Sequence, residues 1–237
     1  MKILRAPPSG YPGLSLRQLE RSDMPFWYAY LANHDVVRHT SWNLQSENDL
    51  LPMFDALDSE LPTSIRRLAI ISDLSGELIG TIGFHTVSDV NRTAEIAYDL
   101  APAYWGKGIA SAVCSAVTQW SFSAFGFVRV QGTVLETNVS SARVLQKSQY
   151  RHEGLLRSFR MVRGIPGNFQ LYARLNDDWS TRRRPMHPLT GEVRQQPTFE
   201  CSFVATHERL KLAALCLSRS APVEAYRPID AHAAAGA

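Results

Sequence analysis

The segment Ala101-Pro-Ala-Tyr-Trp-Gly-Lys-Gly-Ile-Ala110 decides the fold of this chain, because it lies between a predicted strand and a predicted long helix. The short apolar run from Ile96 to Leu100 precedes it. Apolar residues at helical spacing follow it, namely Ile109, Val113, Ala116, Val117, Trp120 and Ala124. We therefore predict a strand, a glycine-containing turn and a helix in succession.

The two glycines of this turn suit it to an anion. Gly106 and Gly108 lack a Cβ atom, so the chain can adopt positive φ there and a ligand can approach the backbone closely. The first N–H groups of the following helix have no partner within the helix, which favours a phosphate at this end. The spacing matches neither Gly-x-x-x-x-Gly-Lys-Ser/Thr nor Gly-x-Gly-x-x-Gly. The turn is therefore either a different phosphate site or a connection that needs glycine for its geometry alone.

The composition is that of a globular protein with ample residues to build a core. The chain has 237 residues, of which 45% are hydrophobic and 20% charged, with a formal net charge of +3. We expect one large domain, or one domain of ordinary size with an extension. A positive charge this small, without a dense stripe of Lys and Arg among aromatic residues, does not favour a nucleic-acid ligand.

Cysteine usage and the N-terminal residues indicate the compartment. The three cysteines, Cys114, Cys201 and Cys216, include no Cys-x-x-Cys pair, which is typical of reduced thiols in a cytosol. The N-terminal residues contain no apolar stretch long enough for a signal peptide or a membrane span. The histidines lack the spacing of metal ligands. We predict a soluble, cytoplasmic protein with no metal site and no membrane association.

The order of the predicted elements indicates an α+β fold (mixed α/β), in which strands come before and after a crossover helix. Runs of β-branched and apolar residues, separated by turn residues, predict an antiparallel meander before the glycine turn and more strands after the helix. Asp23 and Ser46 are candidate caps of two early helices, and an aromatic and polar loop from His34 to Trp42 separates these helices. The predicted strands are 14–19, 65–72, 78–85, 93–100, 127–135, 154–162 and 169–175, and the predicted helices are 26–31, 47–57, 109–124 and a short one after Asn138.

Three regions follow from these patterns. Residues 1–13 are a leader rich in proline and glycine, and residues 14–179 form the domain. Residues 180–237 are an extension that resembles a linker, with one possible short helix at 206–217 and a low-complexity end. We expect this extension to be peripheral or partly disordered.

Two segments in the expected order resemble the GNAT superfamily of N-acetyltransferases. Ala94 to Ala110 resembles its acetyl-CoA-binding motif, and Asn138 to Lys147 with Glu153 to Arg157 resembles its closing helix and strand. The resemblance covers 14–179 and is nearest to the ribosomal-protein N-terminal acetyltransferases and their small-molecule relatives. It implies a central, mostly antiparallel sheet that diverges in the middle and is flanked by helices. It also implies transfer of the acetyl group of acetyl-CoA to a primary amine by direct attack in a ternary complex.

The resemblance also implies which residues bind acetyl-CoA. Backbone amides from Trp105 to Ala110 would hold the pyrophosphate, and a main-chain N–H near Leu100 would stabilise the thioester oxygen. The closing helix would follow the pantetheine and reach the adenine end. The predicted cofactor-binding residues are Tyr98, Leu100, Trp105, Gly106, Lys107, Gly108, Ile109, Ala110, Asn138, Ser141, Arg143 and Lys147.

Two residues are candidates for the proton transfers. Glu95 lies a few residues before the predicted divergence and is the candidate base for the amine; the alternative is an ordinary exposed glutamate of a strand. Ser141 is the candidate to reprotonate the thiolate; the alternative is that coenzyme A, whose thiol resembles a free cysteine of pKa about 8.5, leaves unaided. Cys114 lies inside the long helix, where we expect a structural role.

His39 and Trp42 are candidates to line the acceptor pocket, and loop packing is the alternative. The acceptor is either a small-molecule amine or the α-amine of a peptide. Leu145 stands where many GNAT members carry a tyrosine acid, and Asn168 stands where the nearest subgroup often carries an acidic residue. A second hypothesis is therefore a catalytically silent module that binds acyl-CoA. A third is a ribosome-associated or RNA-binding protein that uses the basic run Arg182 to Arg184. Formation of a homodimer stays open.

Overall fold

The computed structural model describes residues 3, 5–40 and 44–177. Within them, seven strands form one sheet in the order β1-β2-β3-β4-β5-β7-β6, and β4 and β5 are the only parallel neighbours. The predicted mixed α+β fold is confirmed. The elements in chain order are β1 (Leu14–Gln18), α1 (Met24–Leu31), α2 (His34–Val37), α3 (Leu51–Asp58), β2 (Arg66–Ser72), β3 (Leu78–Ser88), β4 (Thr93–Leu100), α4 (Ile109–Ala124), β5 (Arg129–Leu135), α5 (Val139–Lys147), β6 (Arg151–Val162) and β7 (Ile165–Leu175).

The sheet diverges between β4 and β5. Thr93 to Glu95 pair with Arg129 to Gln131, and the described pairing of these two strands goes no further. β5 then continues to Leu135 along β7 on its other side. The two central strands therefore separate just after Glu95, which is earlier along β4 than the position near Leu100 that the sequence indicates.

Backbone groups of β4 point into the gap that this divergence leaves. The N–H of Ala101 donates to the carbonyl of Ile79 (2.8 Å), and Leu100 lies opposite Gly80. Alternate residues of a strand direct their N–H and C=O groups to opposite neighbours. The backbone groups of Tyr98 and Leu100 therefore face away from β3 and into the gap.

Helices cover the sheet on both faces. α4 and α5 pack on one face, where the core includes Ile82, Val113 and Val130. α1 and α3 contribute to a second cluster on the other face, where Trp27 is fully buried and meets Phe54 edge to face at 6.0 Å. No helix in the described ranges is both long and apolar enough to span a membrane.

The structure corrects several local predictions. The loop predicted from His34 onward contains the short helix α2, which the Asn33 side chain caps by accepting from the N–H of Asp35. Asp23 does not cap α1 with its side chain, because its carboxylate accepts from Arg17 and from the N–H of Glu20. The end of the predicted loop, 41–43, and residues 178–237 lie outside the described residues.

Part of the predicted leader packs on the domain. Ser9 is buried, and its hydroxyl donates to the carbonyls of Tyr11 and Leu14. A Cβ atom on Gly10 would lie 3.2 Å from both the carbonyl oxygen of Ala112 and the Cβ of Ala116, so α4 and the leader are in close contact. These leader residues therefore add to the layer that covers one face of the sheet.

Candidate active site

The glycine turn has the open geometry that an anion site needs. Gly106 and Gly108 have φ values of 74° and 81°, which L side chains rarely adopt. A Cβ atom at either position would have no other atom within 4 Å, so the space beside the turn is open. The indole N–H of Trp105 donates to the carbonyl of Leu100 (2.8 Å) and fixes the turn to the end of β4.

Free helix donors lie at the same place. Gly108 is the N-cap of α4, and the N–H of Ala112 donates to its carbonyl (3.1 Å). The N–H groups before Ala112 therefore precede the first intrahelical bond of α4. The side chain of Ile109 is buried in the core, so this residue can offer a ligand only its backbone. Lys107 is exposed, with its Nζ 5.3 Å from the centre of the Tyr104 ring.

α5 brings the second predicted segment to this turn. The Ser148 hydroxyl, one residue after α5, donates to the carbonyl of Ser111 in the first turn of α4 (3.1 Å). The end of α5 is therefore joined to the first turn of α4, and both Lys147 and Arg143 are exposed on α5. At the other end of α5, the Asn138 side chain accepts from the N–H of Ser141 (3.0 Å). Asn138 thus serves as the helix cap, whatever it contacts in a complex.

Tyr98 and Ser141 connect β4 to α5. The Tyr98 hydroxyl donates to the Ser141 carbonyl (3.0 Å) and lies 2.9 Å from the Ser141 hydroxyl. The phenol has one proton, so the Ser141 hydroxyl is the donor of the second bond. Burial raises the pKa of Tyr98 well above its ordinary value, so the phenol stays neutral. Tyr98 lies on the face of β4 opposite Glu95.

Glu95 lies on the other face, at the residue where β4 and β5 separate. It is 5% exposed, so the alternative of an exposed strand glutamate does not hold. Its Oε1 accepts from the Thr133 hydroxyl and from an Arg160 N–H (2.9 Å), and His85 Nε2 lies 3.4 Å from the same oxygen. These contacts converge on Oε1, and no described residue donates to Oε2. One carboxylate oxygen is therefore left for a ligand.

The surroundings of Glu95 keep it ionised. Burial by itself would raise its pKa, but the contacts with His85 and Thr133 and the positive charge of Arg160 outweigh this and lower the pKa to about 2. The 3.4 Å separation from His85 is longer than a normal hydrogen bond, so we treat that contact as electrostatic. A carboxylate with this pKa holds a proton poorly, but it attracts an ammonium group strongly.

Sequence reasoning did not single out Thr133, Arg160 or His85. Thr133 faces Glu95 from β5, and Arg160 reaches it from β6 with its guanidinium over the Phe159 ring (4.8 Å). The polar residue at every second position of β5 was a visible signal for Thr133. His85 lies at a bulge of β3, where the pairing with β4 shifts between Phe84 and Thr86, and no local pattern indicates such a shift.

The predicted acceptor residue His39 contacts the connection between β5 and α5. Its Nδ1 is 3.1 Å from the Thr137 hydroxyl, and Arg38 Nε donates to its Nε2 (3.1 Å). Partial burial and the charges of Arg38 and Arg163 lower the pKa of His39. Arg163, in the β6–β7 turn, also donates to the carbonyl of Val37 (3.2 Å), so α2 and that turn are joined here. Trp42 lies outside the described residues.

Asp99 is a partly buried carboxylate whose recorded hydrogen-bond partners are all donors. It accepts from the Trp27 indole (3.1 Å), the Thr81 hydroxyl (2.8 Å), the Tyr30 hydroxyl and the Arg67 guanidinium. The pair of Arg67 and Asp99 is buried, with side chains 3% and 15% exposed. This cluster fixes α1 against the sheet and is therefore structural.

Cys114 lies inside α4, with its side chain in the core of the protein. Burial raises the pKa of the Cys114 thiol to about 11, and the residue is fully buried in α4. A thiol in this state is a poor nucleophile, which agrees with a structural role. The described ranges contain no group of three or more His, Cys, Asp or Glu side chains that could hold a metal ion.

A sheet that opens beside a glycine turn and a helix N-terminus defines a class of acyltransferases that use coenzyme A thioesters. Residues 14–151 match the model of the acetyltransferase (GNAT) domain family. The chain belongs to this family, as its motifs predict, and is an acetyl-CoA-dependent acyltransferase.

Similar proteins agree with this assignment. An uncharacterised N-acetyltransferase of Bacillus subtilis, YoaA, is 35% identical over 164 residues, which cover 68% of this chain and 92% of that protein. The structure of a spermidine N-acetyltransferase from Vibrio cholerae, solved with CoA and spermine, has a TM-score of 0.64 at 20% identity and covers 72% of this chain and 99% of its own. The structure of a ribosomal-protein-S5-alanine acetyltransferase from Vibrio fischeri has a TM-score of 0.62 at 19% identity. The match covers 71% of this chain and 96% of that chain.

Proposed function

We propose that the chain transfers the acetyl group of acetyl-CoA to a primary amine by direct attack within a ternary complex. The observation that carries this proposal is the position of Glu95. Its free Oε2 lies where β4 and β5 separate, on the strand whose Tyr98 and Leu100 N–H groups face the gap. An amine and a thioester can therefore meet at one point, and such alignment is worth roughly 7 to 11 kcal/mol of the barrier.

Acetyl-CoA would be held by groups on the side of the sheet that α4 and α5 cover. The N–H groups at the start of α4 and the open turn at Gly106 and Gly108 fit a pyrophosphate. The exposed Lys107 and Lys147 add positive charge at the same end. The N–H of Leu100 is the candidate donor to the thioester oxygen, where one such donor is typically worth about 3 to 4 kcal/mol.

The amine would approach from the other face of the sheet. The ionised Glu95 attracts its ammonium group through Oε2, while Thr133 and Arg160 hold Oε1. After attack on the thioester carbon, the sulfur leaves with the electron pair of the carbon–sulfur bond. Ser141 would then donate a hydrogen bond to the thiolate once its hydroxyl turns from Tyr98.

The silent-module hypothesis has less support. Leu145 is 1% exposed, and a Cβ atom on Gly132 would lie 3.0 Å from its Cδ1. The position is part of the core, so the absence of tyrosine there removes nothing from the gap. Asn168 instead connects β7 to its neighbours, because it accepts from the N–H of Ser158 (3.0 Å) and lies 3.3 Å from Glu136.

The acceptor class is either a protein α-amine or a small-molecule amine, since both kinds appear in the names of similar proteins. Incubation of the pure full chain with acetyl-CoA and a panel of amines, including spermidine and peptides that begin with alanine or serine, tests the proposal. We expect release of free thiol with at least one amine and a product heavier by one acetyl group. Tight acetyl-CoA binding without thiol release for any amine would favour the silent module instead.

Cytoplasmic placement, the absence of a nucleic-acid ligand and the possibility of a homodimer stay predictions. RNA binding through the extension has its own test. Salt-sensitive RNA binding that disappears when residues 180–237 are removed would support it.

A further inference from the structure

A proton must leave the ammonium group before the amine can attack, and Glu95 is poorly suited to keep it. Thr133 and Arg160 both stabilise the ionised form of Glu95, so it would readily return such a proton to an amine, whose pKa is roughly 8 for a protein α-amine. A second group near Glu95 must therefore accept the proton. Imidazole is the side chain that most often does so in enzymes.

His85 is the imidazole in contact with Glu95, and its nitrogens are unused. Both ring nitrogens are buried, and neither has a hydrogen-bond partner within the described part of the chain. A buried polar atom without a partner is costly and calls for an explanation. The bulge in β3 is the cause of this placement, because it sets His85 and Thr86 opposite the single residue Glu95.

His39 and His85 differ in whether a ring nitrogen is free to accept a proton. Arg38 donates to Nε2 of His39, so the proton of the neutral ring is on Nδ1, where it faces Thr137. Both nitrogens of His39 are therefore occupied. In His85, Nε2 faces the ionised Oε1 of Glu95, which favours a proton on Nε2 and a free electron pair on Nδ1.

We propose that His85 is a catalytic residue that accepts the proton of the acceptor amine on Nδ1, directly or through one water, while Glu95 orients the ring. The proposal rests on the proposed acetyl transfer. The ammonium N–H bond breaks and its proton passes to Nδ1. The freed electron pair of the amine attacks the thioester carbon, and the carbon–sulfur bond breaks with its electrons on sulfur. The imidazolium, held beside Oε1 of Glu95, later returns its proton to the thiolate or to water.

Glu95 on β4 is the charged group in contact with this ring. Arg160 on β6 contacts Glu95 and brings a positive charge to the same site. The carboxylate stabilises the imidazolium that forms. Arg160 contacts the same carboxylate oxygen of Glu95 (2.9 Å). The same division of roles between a carboxylate and an imidazole supports proton transfer in other enzymes.

The test compares His85→Gln with His152→Gln in the full chain. His152 is exposed and contacts Gln170, away from the gap, so it is the matched control. Thiol release is followed with acetyl-CoA and with spermidine or an alanine peptide, over a range of pH. We expect His85→Gln to lower kcat by about 10² to 10⁴ fold at neutral pH with unchanged acetyl-CoA binding. The loss should shrink as the pH approaches the pKa of the amine, because the amine then needs no base.

A second measurement, independent of turnover, locates the proton on the His85 ring. Nitrogen-15 spectra of the histidine rings should show His85 of the wild-type chain with its proton on Nε2, and this preference should weaken in Glu95→Gln. A His85→Gln variant that equals His152→Gln at every pH would overturn the assignment, as would a loss that is the same at every pH. Absence of thiol release by the wild-type chain with either amine would instead contradict the proposed function and the inference that rests on it.

Discussion

The hydroxyl groups of Tyr98 and Ser141 lie 2.9 Å apart and join β4 to α5 at the gap in the sheet. Ser141 is thereby held next to the strand whose backbone faces the thioester. This contact joins the two segments of sequence that resemble the GNAT motifs, although Tyr98 and Ser141 are 43 positions apart in the chain.

Ser141→Ala should slow turnover moderately. A hydrogen bond to a charged group is worth about 1.5 to 3 kcal/mol, which corresponds to roughly ten- to hundredfold in rate. We expect kcat to fall by that factor, and calorimetry with acetyl-CoA separates this loss from any loss of cofactor affinity. Ser140→Ala, at the exposed neighbouring position of α5, is the control. Equal rates for the two variants, measured by thiol release, would remove Ser141 from the reaction.

Glu95→Gln should affect catalysis more than cofactor binding. The amide keeps the size of the carboxylate but loses the charge that attracts the ammonium group, so we expect kcat/KM for the amine to fall by about 10² to 10³ fold. Titration calorimetry with acetyl-CoA should give an affinity close to that of the wild type. Glu153→Gln is the matched control, because Glu153 forms a more exposed pair with Arg129 (2.6 Å). Unchanged turnover in Glu95→Gln would contradict the role of Glu95.

The low pKa of Glu95 predicts a pH-dependent contribution to stability. Its pKa is about 2 in the folded chain against an ordinary value of 4.5, so the contribution is complete above about pH 4.5 and is lost as the pH falls towards 2. Between about pH 6 and pH 3.5, the stability of the wild type relative to Glu95→Gln should fall by about 1 kcal/mol. Urea unfolding of both proteins at each pH measures it. A constant difference would show that Glu95 has no lowered pKa.

Asp99→Asn should destabilise the fold without a specific effect on the reaction. Loss of this charge leaves the buried guanidinium of Arg67 without its anion, and breaking such a pair typically costs about 3 to 5 kcal/mol. Asp55→Asn is the control, because its pair with Arg21 is exposed and is worth less than about 1 kcal/mol. Equal unfolding midpoints in urea for the two variants would argue against the structural role of the Asp99 cluster.

The sequence was sufficient for features that depend on local geometry. The turn at Gly106 and Gly108 needs positive φ, and the residues around it set the strand before and the helix after it. The short helix α5 was predictable for the same reason, since Asn138 caps it within one turn. Such features require only neighbours in the chain.

The surroundings of Glu95 were not predictable, because they come from distant parts of the chain. Thr133 and Arg160 are 38 and 65 positions away from it. His85 reaches it through a bulge, and the bulge depends on how β3 pairs with β4. The residue where the strands separate was also misplaced, since the length of the β4–β5 pairing is set between two strands that are distant in the sequence.

The most direct test of the central claim is acetyl-CoA binding by Gly108→Val, measured by calorimetry beside Gly126→Val. Both glycines have positive φ, at 81° and 66°, and both have open space around a Cβ atom, so the two substitutions strain the backbone alike. Gly126 lies past the C-terminal end of α4 and Gly108 at its N-terminus. We predict that Gly108→Val abolishes binding of acetyl-CoA and that Gly126→Val retains it. Normal binding by a folded Gly108→Val protein would contradict the assignment of this turn as the cofactor site.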